Sequence, residues 1–309
     1  MTAPDTDEYS GAVDWRLPAD DIRRLSQLRP YYALLCVALE WAIIIAAAWI
    51  SEVSHSWLVY VAAVIIIGSR LHAFGVLMHE AAHYRLSSNR QVNNAVGELL
   101  AWMILMTLQG YRNNHFAHHR DLNSDNDPDW VRKKNDPFFS FPKTPSRLLL
   151  DIFKSVSGVR FVVEMRGIFK SKDMQNIPAR LKRQRLLFYI GVITVFSLSG
   201  HGMLLVKYWV VPYVTTFIFF MLIRSVAEHH GKMEYDHLLR QSRYVEPHWW
   251  ERILIAPYGV YAHLDHHLYP SGPFYNLRML HVLLMQQPEY RDNAHITYGY
   301  STGLAAECL

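Results

Sequence analysis

The chain has 309 residues, is 51% hydrophobic and carries a formal net charge of +4. Its two cysteines, Cys36 and Cys308, exclude a disulfide framework or a cysteine metal site. The small basic excess lacks the aromatic–basic interleaving that suits bases, so nucleic acid is excluded as a partner.

Residues 1–30 are polar and contain Arg16, Arg23, Arg24 and Arg29, without the apolar core and small-residue cleavage site of a signal peptide. They are expected to form a cytoplasmic N-terminal segment, with the first apolar run kept as an anchor. A span of the hydrocarbon core needs about 20 apolar residues. Spans are expected at about 31–50, 57–78, 186–206 and 208–223, paired as two hairpins that turn at Ser51–Ser56 and at Lys207. Val92–Leu108 is also apolar, but a crossing there would put the histidines on its two sides in different compartments. It is expected to be a re-entrant or interfacial helix.

Asp121–Pro145 is rich in Asn, Asp and Pro and reads as a loop. Leu148–Arg185 alternates apolar and basic residues, which suits helices lying at a membrane surface. Arg120–Arg185 holds fifteen basic and eight acidic residues, whereas Ser51–Ser56 has no Lys or Arg. Basic segments stay cytoplasmic, so both termini and the connector are expected inside. The fold class is then an all-α integral membrane protein. Four transmembrane helices form two hairpins, with interfacial helices and a cytoplasmic histidine-rich metal cap. The membrane domain is expected over residues 31–290, followed by a C-terminal tail, 291–309.

Three clusters carry the chemistry: His79-Glu80-Ala81-Ala82-His83, His115-Phe116-Ala117-His118-His119 and His263-Leu264-Asp265-His266-His267. Residues three or four apart share a helix face, so each cluster presents its imidazoles together. His229, at the end of the fourth apolar run, completes a set of nine. Neutral imidazole is the commonest metal ligand, and nine exceed what one four-coordinate zinc can use. Two metal ions with open positions are expected, chosen among zinc, copper, iron and nickel. The nearest carboxylates in sequence, Glu80, Asp129, Glu228 and Asp265, are expected to hydrogen-bond and orient the ligands. His72 lies two turns before His79 and is a candidate lining of a channel. His55, His237, His248, His281 and His295 are expected to be surface or packing residues.

The three boxes resemble those of the membrane fatty acid desaturase superfamily, and the likeness runs further. It takes in Val92-Asn93-Asn94-Ala95-Val96-Gly97-Glu98-Leu99-Leu100, Tyr111-Arg112, Asn126-Asp127-Pro128-Asp129 and the stretch from Leu268-Tyr269-Pro270 to Pro273-Phe274-Tyr275-Asn276-Leu277. Arg224 to His229 is similar to the extra Glu-His element of bacterial members. The resemblance implies two non-haem iron ions at the cytoplasmic face of a bacterial cytoplasmic membrane, ligated by the box histidines, with O₂ as co-substrate. It implies a desaturase that introduces a double bond into a fatty acyl chain or related lipid. No haem-binding electron-carrier signature occurs here, which implies an external donor such as ferredoxin, or a cytochrome b5 type with its reductase.

Three other readings fit part of the pattern. A hydroxylase or ketolase of the same superfamily, acting on a carotenoid or other natural product, would use the same boxes. His79-Glu80-Ala81-Ala82-His83 also fits the H-E-x-x-H signature of a zinc metalloprotease with Glu80 as general base, but leaves two clusters idle. A metal transporter would place its site near the membrane midplane, whereas these clusters flank the apolar runs.

Overall fold

The computed structural model describes residues 15–309, so the first fourteen residues of the expected N-terminal segment lie outside the described residues. The long apolar runs become long helices. After a short α1 (Ala19–Leu25), α2 (Pro30–Ser54) starts on a proline, whose missing N–H is no loss at a first helical position. It stops at His55, which takes a left-handed φ of 49°, and α3 (Trp57–Ala82) returns alongside. Most of α3 is buried in the protein, whereas α2 presents Leu35, Leu39, Ile45 and Trp49 outward.

α4 (Arg90–Met103) leads away from the end of α3, and α5 (Leu108–Arg120) leads back to it. At about 1.5 Å per residue, α4 is about 21 Å long. The turn between them exposes helix-end groups that need partners. Trp102, Met103 and Ile104 carbonyls accept from Tyr189 Oη at 2.8 Å, Trp209 Nε1 at 2.8 Å and Tyr213 Oη at 3.0 Å. The Glu98 carboxylate accepts from the amides of Leu108 and Gln109 at 3.1 and 3.3 Å. A non-helical turn at membrane depth is tolerated only when sealed this way by protein. The Val92–Leu108 stretch therefore folds back toward the end of α3.

The connector forms α6 (Pro128–Lys133), α7 (Pro145–Val156), α8 (Val159–Lys170) and the single turn α9 (Lys172–Gln175). Then come α10 (Ala179–Leu198) and α11 (Gly202–His229). Among the described residues three helices, α2, α3 and α11, are long and apolar enough to cross a membrane. The expected boundary between the last two spans needs correction. The chain breaks at Ser199–His201, where Gly200 adopts φ +77°, and not at Lys207. Lys207 sits inside α11 and pairs with Glu52. α11 contains two π-helical stretches, Val206–Val210 and Tyr213–Phe217, on either side of Pro212, which has no N–H to give. Thr215 and Thr216 hydroxyls donate to the carbonyls of Val211 and Val64 at 2.6 and 2.8 Å. α3 and α11 come close at Gly68, where an added Cβ would lie 2.0 Å from Thr216 Oγ1.

The C-terminal part forms α12 (Trp249–Leu254), α13 (His263–Leu268), α14 (Leu277–Leu284) and α15 (Pro288–Asn293). The all-α expectation missed a parallel pair, β1 (Tyr244–Glu246) with β2 (Ile296–Tyr298), in which Val245 faces Thr297. Three residues are too few for alternation to register in a sequence. The fully buried Arg243 then closes the end of α11. Its guanidinium donates to the carbonyls of Val226, Ala227 and His230 at 3.1, 2.8 and 2.9 Å, and pairs with Glu307 at 2.7 Å.

Candidate metal centre

All nine histidines meet at one end of the helices, in two adjoining groups. His79, His83, His115, His119 and His266 form one; His118, His229, His263 and His267 form the other. Within each group the candidate ligand atoms lie within 4.8 Å of one another. The helices explain the split: His115 and His119 are one turn apart on α5, while His118 looks toward α11. The groups adjoin where His119 stacks on His267, with ring centroids 4.2 Å apart.

Each short contact among the rings runs from Nε2 to Nε2. His83 meets His115 at 2.8 Å, His79 meets His266 at 3.0 Å, and His229 meets His263 at 2.8 Å. The last pair tests whether a metal fits. His229 Nδ1 faces the Gln241 carbonyl at 3.2 Å, and His263 Nδ1 faces Glu228 at 3.3 Å. Both acceptors fix the proton on Nδ1, which leaves bare lone pairs on the two Nε2 atoms. Two lone pairs facing at this distance repel unless a cation lies between them. Burial, with the nearby Arg85 and Arg112 charges, pushes His83 down to about 4; burial, then His83 and His118, pushes His119 down to about 2. These two rings are thus held neutral, as ligation requires.

The carboxylates divide differently from the sequence expectation. Glu228 does face a ring, His263, while accepting from Arg224 Nε at 2.6 Å. Glu80 lies 3.5 Å from His79 Nδ1, and its other oxygen accepts from the Phe274 amide at 2.9 Å. It ties α3 to the loop after the third box, which is not the posture of an open general base. Among the described residues the Asp265 side chain hydrogen-bonds none of the nine. It accepts from His281 Nδ1 at 3.0 Å and from Tyr290, anchoring α13 from behind. Asp129 pairs with Lys133 at 3.1 Å and accepts from Asn114 at 3.3 Å, and so is also displaced from the role expected of it. The residue missed is Asp127. Buried, it faces His118 Nδ1 at 2.9 Å and accepts the Asp129 amide, so it both orients a ring and starts α6.

Residues between the boxes position them. Asn93 Nδ2 donates to the Ala81 carbonyl at 2.8 Å, and Arg112 donates to Ala82 and Ala81 at 3.0 and 3.1 Å. These satisfy the last carbonyls of α3 and fix the end that carries His79 and His83. A Cβ on Gly97 would sit 2.6 Å from that of Ala81, so only glycine lets α4 come this close.

A cavity of about 790 Å³ opens beside the site. His115, His118, His229 and His263 line one wall, and Ile104, Met106, Tyr213, Phe217 and Met221 give it an apolar length along α11. On the α8 side its lining is charged and reaches solvent at Arg166 and Lys170. His72 is not part of that lining; it is buried against Phe220, ring centroids 6.4 Å apart.

Comparison with known proteins agrees with this site. The family model for fatty acid desaturase matches residues 55–299. Dihydrorhizobitoxine desaturase of Bradyrhizobium elkanii is 27% identical over 286 residues, covering 87% of this chain and 80% of the relative. The sn-1 oleoyl-lipid 12-desaturase of Anabaena variabilis is 23% identical, covering 86% and 80%. The sn-1 acyl-lipid omega-3 desaturase (ferredoxin) of a Nostoc strain is 22% identical, covering 72% and 66%.

Proposed function

The chain belongs to the fatty acid desaturase family, and from that premise we propose that it uses two iron ions and O₂ to introduce a double bond into a fatty acyl chain or related lipid. The observation that carries this reading is the convergence of nine imidazoles into groups of five and four. Five ligands exceed the tetrahedral set of a structural zinc, and a nitrogen-rich set with positions left open suits iron and oxygen. We assign His79, His83, His115, His119 and His266 to one iron and His118, His229, His263 and His267 to the other. Iron held there would supply the activation of O₂ and the removal of hydrogen from an unactivated C–H bond.

The rest falls to the chain's own residues. From Phe217 to His229 the cavity wall follows α11 for about 18 Å at 1.5 Å per residue, long enough to lay an apolar chain against the rings. Fixing the target carbons beside the reactive centre and keeping water away from it are the protein's main contributions. Tyr111, stacked on His115 at 5.1 Å, and Met221 narrow that wall. Glu228, held by Arg224, and Asp127 fix ring orientations, and Arg224 and Glu228 also form part of the cavity wall. The relatives named for oleoyl-lipid and acyl-lipid desaturation support a lipid substrate; the dihydrorhizobitoxine relative supports the reaction and not a particular chain.

The enzyme is proposed to sit in a bacterial cytoplasmic membrane with four spans, α10 being the fourth, and with the site and both termini cytoplasmic. Tyr189 of α10 reaches the α4–α5 turn, which supports α10 at the depth of that turn. The basic excess of the connector supports the orientation. α7 and α8 turn Leu149, Phe153 and Phe169 outward, as helices lying on the bilayer surface would. The "(ferredoxin)" in the name of one relative supports an iron–sulfur electron donor.

The test is turnover of deuterated acyl lipids followed by mass spectrometry. Loss of two hydrogens is expected; gain of one oxygen would make the enzyme a hydroxylase instead.

A further inference from the structure

The histidine site has two unlike faces. One looks into the cavity. On the other, His83, His119 and His267 keep part of their surface in solvent. They form a continuous row, with centroids 5.0 Å apart from His83 to His119 and 4.2 Å from His119 to His267. At one end stands Phe116, 41% exposed on an otherwise polar helix, its ring tilted against His83 at 5.3 Å. At the other end Tyr269, two residues after His267, packs edge-on with Trp15 at 6.0 Å. A large aromatic left outside, when the buried site lies directly beneath it, fits a surface that is covered by a partner.

The frame of that surface is cationic. Arg120 follows Phe116 by one helical turn and pairs with Asp121. Arg85 donates to the His83 carbonyl at 3.0 Å and to the Ser271 carbonyl at 3.2 Å. Arg90 lies over the Tyr84 ring at 5.0 Å, and Arg16 adjoins Trp15.

Desaturation by O₂ balances only with a reductant: R–CH₂–CH₂–R′ + O₂ + 2 e⁻ + 2 H⁺ gives R–CH=CH–R′ + 2 H₂O. The substrate gives up two hydrogens and two electrons, and two more electrons must come from outside. We propose that the row His83, His119 and His267, with Phe116 beside it and Arg16, Arg85, Arg90 and Arg120 around it, is the docking surface for a reduced, acidic one-electron carrier protein of the ferredoxin class. The proposal rests on the desaturase reading and adds where that partner binds. Positive charge steers the acidic carrier and sets its orientation. The exposed ring edges shorten the path from carrier to site, while the cavity stays free for substrate on the opposite face.

The test is binding of a plant-type [2Fe–2S] ferredoxin to the full chain in nanodiscs, by interferometry at low and high salt. Wild type is expected to bind, more weakly as salt rises. Phe116→Glu and Arg120→Glu should each weaken binding at least tenfold, and Arg291→Glu, on α15, should not. Arg120→Glu should keep wild-type iron content and, when reduced chemically without O₂, freed of reductant and then given O₂, the wild-type single-turnover product yield. Equal binding by wild type, Phe116→Glu and Arg120→Glu overturns the surface. So does self-association of the wild type that Phe116→Glu abolishes, with no carrier bound. Wild type that is chemically reduced without O₂, freed of reductant and then makes no product when O₂ is added overturns the desaturase reading itself, a separate failure.

Discussion

The five-histidine and four-histidine groups differ less in their rings than in what stands behind them. In the smaller group, His118 is backed by Asp127 at 2.9 Å, His263 by Glu228 at 3.3 Å and His229 by the Gln241 carbonyl at 3.2 Å. In the larger group, His79 has only the longer contact to Glu80 at 3.5 Å, and His266 Nδ1 is buried with no partner among the described residues. Its rings are placed instead by backbone: Asn93 and Arg112 fix the end of α3, and α5 sets His115 and His119 one turn apart. One group is oriented by hydrogen bonds and the other by packed helices. Both groups draw on three elements, α3, α5 and α13 for the larger and α5, α11 and α13 for the smaller, so the difference teaches that outer hydrogen bonds and helix packing are two routes to the same ring placement.

Mutations can break that comparison. The largest effect is expected from removing a ring of either group. His118→Ala and His266→Ala should both abolish turnover and lower bound iron while membrane insertion is unchanged, read by product analysis and metal content. Full activity in either variant would remove that ring from its group. Asp127→Ala comes next, with about a 10–100-fold loss of metal affinity or activity, whereas Asp129→Ala should stay within a few-fold of wild type. Iron titration of the two variants side by side decides whether the partner assignment is right. Glu228→Gln keeps an acceptor beside His263 but weakens the pair with Arg224, so a smaller loss is expected, confined to one of the two irons. The mildest is Glu80→Gln, which should retain part of the activity because the Phe274 amide still has an acceptor. Complete loss there would revive a base role for Glu80, and peptide hydrolysis assays would follow.

Much of the histidine set was legible because helical spacing marks three boxes and three boxes are too many for one zinc, but the division of the second and third boxes between the two groups was not. His229 was legible from its place at the end of an apolar run. Asp127 was not. Asn126-Asp127-Pro128-Asp129 offers two carboxylates two residues apart, and only the folded turn, in which Asp127 caps α6 and points back at His118, chooses between them. Asp265 misled for the converse reason: its neighbours in sequence are ring-bearing, but its side chain leaves the opposite face of α13 toward Tyr290 and His281. The break at Ser199–His201 was hidden because apolar residues flank it on both sides, while Lys207 looked like a turn and is paired with Glu52 inside a helix.

Metal analysis of the purified chain, expressed with iron and zinc both available, reaches the central claim most directly. Close to two irons per chain are expected, one for each histidine group. A single zinc per chain, or no bound metal with the fold intact, would contradict it.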